Sequence, residues 1–287
     1  GGVMIKVGQF LSSRVDVMPP EIIRELEGLQ DEVAPEKFDD VRKIAEEELG
    51  ATLAEKYCVF NPQPLAAASL GQVHTAQLFQ RDIIGTGDNE TGWADVVVKI
   101  QRPHIEQIIS VDLAALKSVG KWIRLYKPIS RRANIPALME EFSRTLYEEI
   151  DYLAEGRNAE KFAVNFQNEP GVLVPKVVWT HTTRRVLTLE DVGGIKITDY
   201  ERITEAGIDR KEVANQLIAT YLQQIFEDGF FHADPHPGNL FVRRISAGDD
   251  GQANVPGWHL TFVDFGMVGH ISPKARDGMR ELLIGVV

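Results

Sequence analysis

The chain contains very little cysteine, which limits the covalent and metal chemistry it can use. Its 287 residues include one cysteine, Cys58. A single thiol cannot form an internal disulfide framework or a cysteine-rich metal site. Because an unpaired cysteine usually behaves as a small apolar side chain, we expect Cys58 to be buried. The sequence predicts a protein of a reducing compartment, cytoplasmic or membrane-associated, or inside an organelle in a eukaryote.

Positive charge is also scarce. Lysine and arginine number 31 against 42 aspartates and glutamates, and the formal net charge is -11. A general nucleic-acid-binding protein needs a basic surface to neutralise phosphates, so the charge balance argues against this class. The composition, 44% hydrophobic and 25% charged, is typical of a globular protein with a substantial core.

Long apolar runs are missing as well. No run approaches the ~18 residues that a membrane-spanning helix needs, and no signal peptide is visible. The chain starts at Gly1 without an initiator methionine and stops within the apolar run LLIGVV. These ends indicate a domain excised from a longer protein. Internal repeats and low-complexity tracts are absent from the sequence.

The spacing of apolar residues predicts a mixture of helices and strands. Helices are predicted at 3–14, after Pro19 and Pro20, at 38–49 with Gly50 as its end, and at 104–126, 136–166 and 210–228. Strands are predicted within 57–79 and at 94–101, 172–179, 184–192, 240–244 and 259–266. Two polar, glycine-bearing stretches, 81–92 and 245–257, are predicted to be loops between strands.

The stretch GFFHADPHPGNLF, residues 229–241, is open to two interpretations. His232 and His236 are four residues apart, a spacing that would direct both rings at one metal ion on a helix. Pro235 and Pro237 exclude a helix, because each removes a backbone donor and disrupts helical geometry. The stretch is therefore predicted to be an ordered, irregular loop.

Four residues in this loop and in two strands follow the protein-kinase signature. Lys99 lies in the strand VVVKI, Asp234 and Asn239 have the spacing D-x-x-x-x-N, and Asp264 opens a DFG triplet. Asn239 and Asp264 offer oxygen ligands suited to Mg²⁺, and Asp234 would be the acid/base or water-orienting carboxylate. We expect the histidines to pack and hydrogen-bond, with His232 orienting the loop.

Departures from ordinary protein kinases carry a closer resemblance. An alanine-rich stretch, PLAAASLGQVH, stands where a glycine-rich loop would precede the lysine strand. K-x-G-Q occurs at residues 6–9, and E-x-D at 149–151. Together with HADPHPGN, these motifs closely resemble the UbiB-type atypical kinase family, also called AarF- or ADCK-like, which is linked to ubiquinone and other prenylquinone biosynthesis. The resemblance covers essentially the whole chain.

The resemblance implies an α+β, two-lobed protein-kinase-like fold. An N-terminal helical extension, carrying the K-x-G-Q helix, would occupy residues 1–56 and cover the cleft. The small lobe, with inserted helices, would span 57–190. The large lobe, with the catalytic loop and DFG, would span 191–287.

The resemblance also implies roles for individual residues. Lys99 would bind phosphate, with Glu155 as its helix-borne partner, and the Glu190 carbonyl and Val192 amide would face an adenine edge. Asp151 and Glu155 are i, i+4 and so would share a helix face. The implied nucleotide-binding residues are Ala66, Ala67, Ala68, Ser69, Lys99, Glu155, Glu190 and Val192. The implied lid residues are Lys6, Gln9, Glu149 and Asp151. The opposite helix stripe, predicted to be core, is Leu138, Phe142, Leu146 and Ile150.

The expected function is binding of ATP or ADP with Mg²⁺, and phosphotransfer or ATP hydrolysis that supports prenylquinone lipid metabolism. A covered cleft argues against protein substrates in trans and favours a small-molecule or lipid-linked role. Expected partners are prenylquinone precursors, membrane lipid and quinone-biosynthesis proteins, and no nucleic acid. One alternative is a nucleotide-binding pseudokinase that acts as a scaffold. A metal-dependent hydrolase is a weaker alternative, because the loop histidines lack a helix or further ligands at suitable spacing.

Overall fold

The computed structural model describes residues 2–12, 33–82, 95–123, 134–234, 236–245 and 257–286. The helix predicted after Pro20 lies outside the described residues, and so do the two predicted loops apart from their ends. The chain divides into two compact units. The first comprises Gly1–Leu153 and Val178–Thr188, and the second comprises Ala154–Val177 and Leu189–Val287.

Helices and strands are grouped in separate runs along much of the chain, which is typical of an α+β fold. The helices are α1 (Gly2–Ser12), α2 (Phe38–Leu49), α3 (Leu53–Lys56), α4 (Ile105–Ile123), α5 (Ile135–Glu149), α6 (Tyr152–Asn165), α7 (Tyr200–Glu205), α8 (Arg210–Gln223) and α9 (Pro273–Val286). The strands are β1 (Tyr57–Ala67), β2 (Gly71–Leu78), β3 (Asp95–Gln101), β4 (Val172–Leu173), β5 (Val186–Glu190), β6 (Ile195–Lys196), β7 (Phe230–His232), β8 (Leu240–Arg244), β9 (Trp258–Phe262) and β10 (Val268–His270).

A four-stranded sheet with the order β1-β2-β3-β5 forms the centre of the first unit. Strands β1, β2 and β3 pair antiparallel, and Lys99 stands opposite Val73. One face of the sheet packs on α2 in a core that includes Val41, Tyr57 and Val98. The prediction for α2 is confirmed, including its end at Gly50, whose φ of 64° is the left-handed conformation that glycine adopts readily.

A second core of the first unit joins α1, α4 and α5. The cluster contains Val3 from α1, Ile109 from α4 and Phe142 from α5, all buried. Leu70, at the turn between β1 and β2, packs into the same cluster. The turn and the K-x-G-Q helix therefore share one apolar core.

The predicted helix 136–166 is in fact two helices, α5 and α6. The helical ladder ends at Ile150, and the Tyr152 N–H donates to the Arg184 carbonyl at 3.2 Å. Asp151 lies in this break, so the prediction that it shares a helix face with Glu155 is wrong. The predicted core stripe is confirmed, since all four of its residues are buried: Leu138, Phe142, Leu146 and Ile150.

The second unit contains a four-stranded sheet, with the order β4-β9-β8-β6, and a separate two-stranded antiparallel pair, β10-β7. Helix α8 continues as a π-helical turn, Gln224–Asp228, and Gly229 ends it with a φ of 61°. The strand predicted at 172–179 is confirmed only at Val172–Leu173. Pro175 within it has no N–H to donate to a sheet, and the chain then turns into a 3-10 helix at Trp179–His181.

The prediction that Cys58 is buried is wrong, because its side chain is exposed. Cys58 lies on β1, at the edge of the sheet, next to the buried Tyr57. Successive side chains of a strand point to opposite faces, so burying Tyr57 directs Cys58 outward. Among the described helices, none combines the length and the hydrophobicity that crossing a membrane requires.

Candidate functional site

Lys99 extends from β3 between two fully buried neighbours, Val98 and Ile100. Its Nζ lies 5.2 Å from the centroid of the Tyr152 ring, within the range of a cation–π interaction. A Cβ added to Gly71 would lie 2.5 Å from the Tyr152 hydroxyl and 2.7 Å from the Ile100 carbonyl oxygen, so this position requires glycine. Sequence reasoning missed Tyr152, because its partners are distant along the chain.

The alanine-rich stretch forms a tight turn between β1 and β2. The Ala68 N–H donates to the Gly71 carbonyl at 2.9 Å, and Ala67 pairs with Gln72. Ser69 and Leu70 at the turn are buried, whereas Ala66 and Ala68 are exposed. We call residues 66–71 the Ala-rich turn. The alanines before the tip are therefore the more exposed part of the turn, while Leu70 at the tip packs into the apolar core.

The loop after β7 holds Asp234 and Asn239 together. The Asn239 Nδ2 donates to the Asp234 Oδ2 at 2.8 Å. Asn239 ends a short 3-10 turn, Pro237–Asn239, at whose start His236 Nδ1 accepts from the Gly238 N–H at 3.1 Å. Because the Asn239 amide nitrogen is engaged, its side-chain oxygen is oriented away from Asp234 and remains a candidate metal ligand.

His232 links this loop to the DFG triplet, as a buried residue at the end of β7. Its Nε2 donates to the Asp264 carbonyl at 2.8 Å, and its N–H donates to Gln224 Oε1 at 2.9 Å. Aromatic rings surround the imidazole, including Phe262 and Phe265 at 5.7 and 5.6 Å. The prediction that His232 packs and hydrogen-bonds agrees with these contacts.

Asp264 has a φ of 64°, which is rare outside glycine and typical of residues held by functional surroundings. Its Oδ1 accepts from the Gly266 N–H at 3.2 Å. The preceding Val263 N–H donates to the Asn239 carbonyl at 3.0 Å. Asp234, Asn239 and Asp264 are thereby brought together in the second unit, although Asn239 and Asp264 are 25 positions apart in the sequence.

Two further residues, one that supports this constellation and one that lies near it, were missed from the sequence. Asn158, on α6, donates from Nδ2 to the Phe265 carbonyl at 3.0 Å and so holds the DFG backbone. Burial, followed by the negative charge of Asp234, raises the pKa of Tyr221 to about 12. An asparagine and a tyrosine on helices give no signal in a single sequence, because such residues are common on helix surfaces.

The structure brings Lys6 of the K-x-G-Q helix to Glu149. The Lys6 Nζ lies 2.9 Å from the Glu149 Oε2, and the two side chains are 20% and 11% exposed. Gly8 is buried, and the half-buried Asp151 lies in the break after α5. The side chain of Gln9 lies outside the described part of the chain.

Three other predicted nucleotide-binding residues have clear positions but untested roles. Glu155 is buried on α6 in the second unit, whereas Lys99 belongs to the first, and their pairing stays a prediction. Glu190 ends β5, its N–H donates to the Lys176 carbonyl at 2.9 Å, and burial raises the pKa of its carboxyl. Val192 is buried two residues later, and its contact with adenine also stays a prediction.

Oxygen donors for a magnesium ion are present in the second unit. Asn239 and Asp264 contribute an amide and a carboxylate oxygen, and Mg²⁺ commonly takes its other ligands from water and substrate phosphates. No group of three or more His, Cys, Asp and Glu residues in the described part of the chain is arranged to hold a metal. The donor set thus fits a nucleotide-bound ion better than an ion held by protein side chains alone.

Comparison with known proteins places this arrangement among kinase-like domains. Residues 28–287 match the family described as the ABC1 atypical kinase-like domain, a match that includes Lys99, Asp234, Asn239 and Asp264 and begins after Lys6. The chain is 41% identical over 288 residues to the protein Activity of BC1 complex kinase 8, chloroplastic, from Arabidopsis thaliana, covering 100% of this chain and 35% of that protein.

A bacterial relative and a solved structure agree with this match. The chain is 34% identical over 284 residues to a probable protein kinase UbiB of Azotobacter vinelandii, covering 99% of this chain and 49% of that protein. It is similar to Rv3197 of Mycobacterium tuberculosis, solved in complex with erythromycin, with a TM-score of 0.58 and 26% identity, over 99% of this chain and 68% of that one. The chain spans less than half of each of the two sequence relatives.

Proposed function

Because the chain belongs to the family of ABC1 atypical kinase-like domains, we propose that it binds ATP or ADP with Mg²⁺ and catalyses phosphoryl transfer or ATP hydrolysis. The observation that carries this proposal is the joint placement of Asp234, Asn239 and Asp264 by the Asn239–Asp234 and Val263–Asn239 hydrogen bonds. Phosphoryl transfer demands mainly positioning and charge stabilisation, which these groups can supply.

Each residue has a defined task in this proposal. Asn239 and Asp264 would hold the metal, which when bound neutralises phosphate charge. Lys99 would hold a phosphate oxygen through its ammonium group, whose position Tyr152 supports. Asp234 would accept the proton of the attacking hydroxyl or orient the attacking water. Asn239 keeps the Asp234 carboxylate in place through the 2.8 Å hydrogen bond.

We further propose a role in prenylquinone lipid metabolism, with a small-molecule or lipid-linked substrate. The support is the identity to a probable protein kinase UbiB and the resemblance of the K-x-G-Q and HADPHPGN motifs. The Lys6–Glu149 ion pair, which joins α1 to the end of α5, supports a lid that restricts protein substrates. The name of the Arabidopsis relative contains the word chloroplastic, which supports an organelle as one location, beside a cytoplasmic or membrane-associated one.

The test is phosphate release from Mg-ATP, with and without lipid vesicles, by the parent and by Asp264→Asn. Asp277→Asn is the matched control, because Asp277 is an exposed residue on α9 of the same unit. We expect release by the parent and the control and none by Asp264→Asn. In parallel, the Mg-dependent part of nucleotide-induced thermal stabilisation should vanish in Asp264→Asn; at a hundredfold excess over Kd such stabilisation is about 2.7 kcal/mol.

The outcomes separate the alternatives. A parent that is stabilised by nucleotide but releases no phosphate contradicts ATP hydrolysis and supports either the pseudokinase scaffold or transfer to an acceptor that the assay does not contain. An undiminished Mg-dependent stabilisation of Asp264→Asn contradicts the metal assignment. A parent without any nucleotide response contradicts the proposed function as a whole.

A further inference from the structure

Arg102 follows the lysine strand and reaches the Ala-rich turn with both its backbone and its side chain. Its backbone N–H donates to the Leu70 carbonyl at 3.0 Å. Its Nε donates to the Ala68 carbonyl at 3.0 Å, and its Nη2 donates to the Ala34 carbonyl at 2.9 Å. Its Nη1 pairs with the Glu36 carboxylate. All three guanidinium nitrogens are engaged, and the side chain is only 11% exposed.

The chemistry of these contacts needs arginine. A guanidinium presents its donors in a rigid plane, so one side chain can bind acceptors that lie in different directions. An ammonium group is a compact point charge on a flexible stem and cannot keep the same three acceptors in place. The turn carbonyl of Ala68, the carbonyl of Ala34 and the carboxylate of Glu36 are therefore joined through one planar group.

The segment before α2, residues 33–37, is attached to the sheet by a second route. The Glu36 N–H donates to Gln72 Oε1 at 3.0 Å. Gln72 is buried, and its Nε2 donates to His74 Nε2 at 2.8 Å. His74 in turn donates from Nδ1 to the Asn61 carbonyl at 2.9 Å. Glu36 thus joins Arg102, which directly follows β3, to Gln72 of β2, which directly follows the Ala-rich turn.

We propose that Arg102, held by Glu36, is a positioning residue that fixes the Ala-rich turn and thereby sets how the turn discriminates between ATP and ADP. The inference deepens the proposed function and rests on it, because it assumes that this turn contacts the nucleotide phosphates. The turn lacks a glycine-rich backbone and is closed by the Ala68–Gly71 hydrogen bond. The hydrogen bonds from Arg102 to the Ala68 and Leu70 carbonyls hold the turn from outside it. Under this proposal, residues 33–37 before α2 contribute to nucleotide binding through the contacts of Glu36.

The variants are Arg102→Met, which keeps the aliphatic stem, and Arg102→Lys, which keeps the charge. Arg185→Met is the matched control, since Arg185 is in the same unit and its ion pair with Glu48, at 3.9 Å, does not involve the turn. The first measurement is amide hydrogen exchange over residues 66–72 of the nucleotide-free chain. We expect exchange at least tenfold faster in Arg102→Met, equivalent to about 1.4 kcal/mol in the opening equilibrium.

Exchange in Arg102→Lys should be intermediate, and exchange in Arg185→Met should match the parent. Exchange over 66–72 that is equal in Arg102→Met and the parent overturns the inference. The second measurement is the ratio of ATP to ADP affinity, which should change at least threefold in Arg102→Met and recover partly in Arg102→Lys. Faster exchange with an unchanged ratio overturns the positioning role.

Failure of the proposed function is distinguishable from failure of this inference. A parent that binds neither nucleotide contradicts the proposed function. The exchange comparison then decides alone whether Arg102 fixes the turn. Purely global destabilisation, with exchange accelerated equally in β3 and in the turn, also overturns the inference.

Discussion

The two units hold their candidate site residues by different kinds of interaction. In the second unit, Asp264 is held by the backbone and by a buried aromatic cluster, in which His232 and Phe265 pack at 5.6 Å. In the first unit, the turn and the K-x-G-Q helix share an apolar core and are held in addition by charged side chains, in the Arg102–Glu36 and Lys6–Glu149 pairs. The second unit relies on packing, and the first adds ion pairs between distant parts of the chain.

This difference bears on what each region can do. An aromatic cluster forms with the core and is lost only when the core is disturbed. A partly exposed ion pair can be broken while the surrounding core remains intact, because its removal changes one local contact. The DFG segment of the second unit is therefore expected to stay fixed unless its core is disturbed. In the first unit, the Lys6–Glu149 and Arg102–Glu36 pairs can each be removed separately, which would loosen α1 or the Ala-rich turn while their shared apolar core remains.

The largest effect is expected from breaking the aromatic cluster. Phe265 is fully buried, and its ring lies 5.2 Å from that of Phe162. Replacing a buried phenylalanine with alanine costs about 3–5 kcal/mol, since transfer free energy is lost and a cavity remains. We expect Phe265→Ala to lower the free energy of unfolding by this amount, measured by chemical denaturation with a probe in the second unit.

Two controls define this result. Phe265→Leu keeps most of the side-chain volume, so it should lower the free energy of unfolding clearly less than Phe265→Ala does. Val164→Ala, on the exposed face of α6, should change the free energy by less than about 0.5 kcal/mol, because the Val164 side chain is 61% exposed. A Phe265→Ala variant that loses no more stability than Val164→Ala would show that packing does not hold the DFG segment.

An intermediate effect is expected from the Lys6–Glu149 pair. Lys6→Met keeps the aliphatic stem but removes the ammonium 2.9 Å from Glu149, whose side chain is 11% exposed. The loss of a charged partner by a poorly solvated carboxylate costs about 1–3 kcal/mol. We expect this loss to appear as faster hydrogen exchange within α1, while β2 and β3 exchange as in the parent. We also expect either a changed preference between ATP and ADP or the appearance of self-phosphorylation.

Lys43→Met is the matched control for this pair. The Lys43 Nζ lies 3.9 Å from the Glu47 Oε1, and the two side chains are 76% and 61% exposed. Lys43→Met should therefore lower the free energy of unfolding by at most about 0.5 kcal/mol. A double-mutant cycle with Glu149→Gln isolates the coupling between Lys6 and Glu149. Equal exchange of α1 in Lys6→Met and Lys43→Met would contradict the separate release of the K-x-G-Q helix.

Sequence reasoning succeeded where the signal is local. Asp234 and Asn239 are five residues apart, and α1, α2 and α4 show continuous apolar periodicity, so their types and places could be predicted. The same applies to the core stripe of α5. The exposure of Cys58 could also have been predicted, because side chains alternate between the two faces of a strand and Tyr57, its neighbour, is buried.

The remainder depends on partners that the sequence does not place. Arg102 and Glu36 are 66 residues apart, and Asn158 and Phe265 are 107 apart. The break at Ile150 likewise follows from the Tyr152–Arg184 backbone hydrogen bond, which periodicity cannot indicate. Such contacts arise from tertiary packing, which overrides the helical preference of a continuous amphipathic pattern.

The smallest expected effect concerns the contact between the Lys99 ammonium group and the aromatic ring of Tyr152 in the first unit. The Lys99 Nζ lies 5.2 Å from the Tyr152 ring centroid, an interaction of about 0.5–1 kcal/mol at a partly exposed site. Tyr152→Phe keeps the ring, so ATP affinity should remain within about twofold of the parent; Tyr152→Leu should lose about threefold, which is equivalent to about 0.7 kcal/mol. Affinity would be measured at matched folded fractions, established by denaturation, because Tyr152 is also buried. A common loss in both variants would assign the effect to the hydroxyl, which packs against Gly71, and would remove the ring from the contacts that position the lysine.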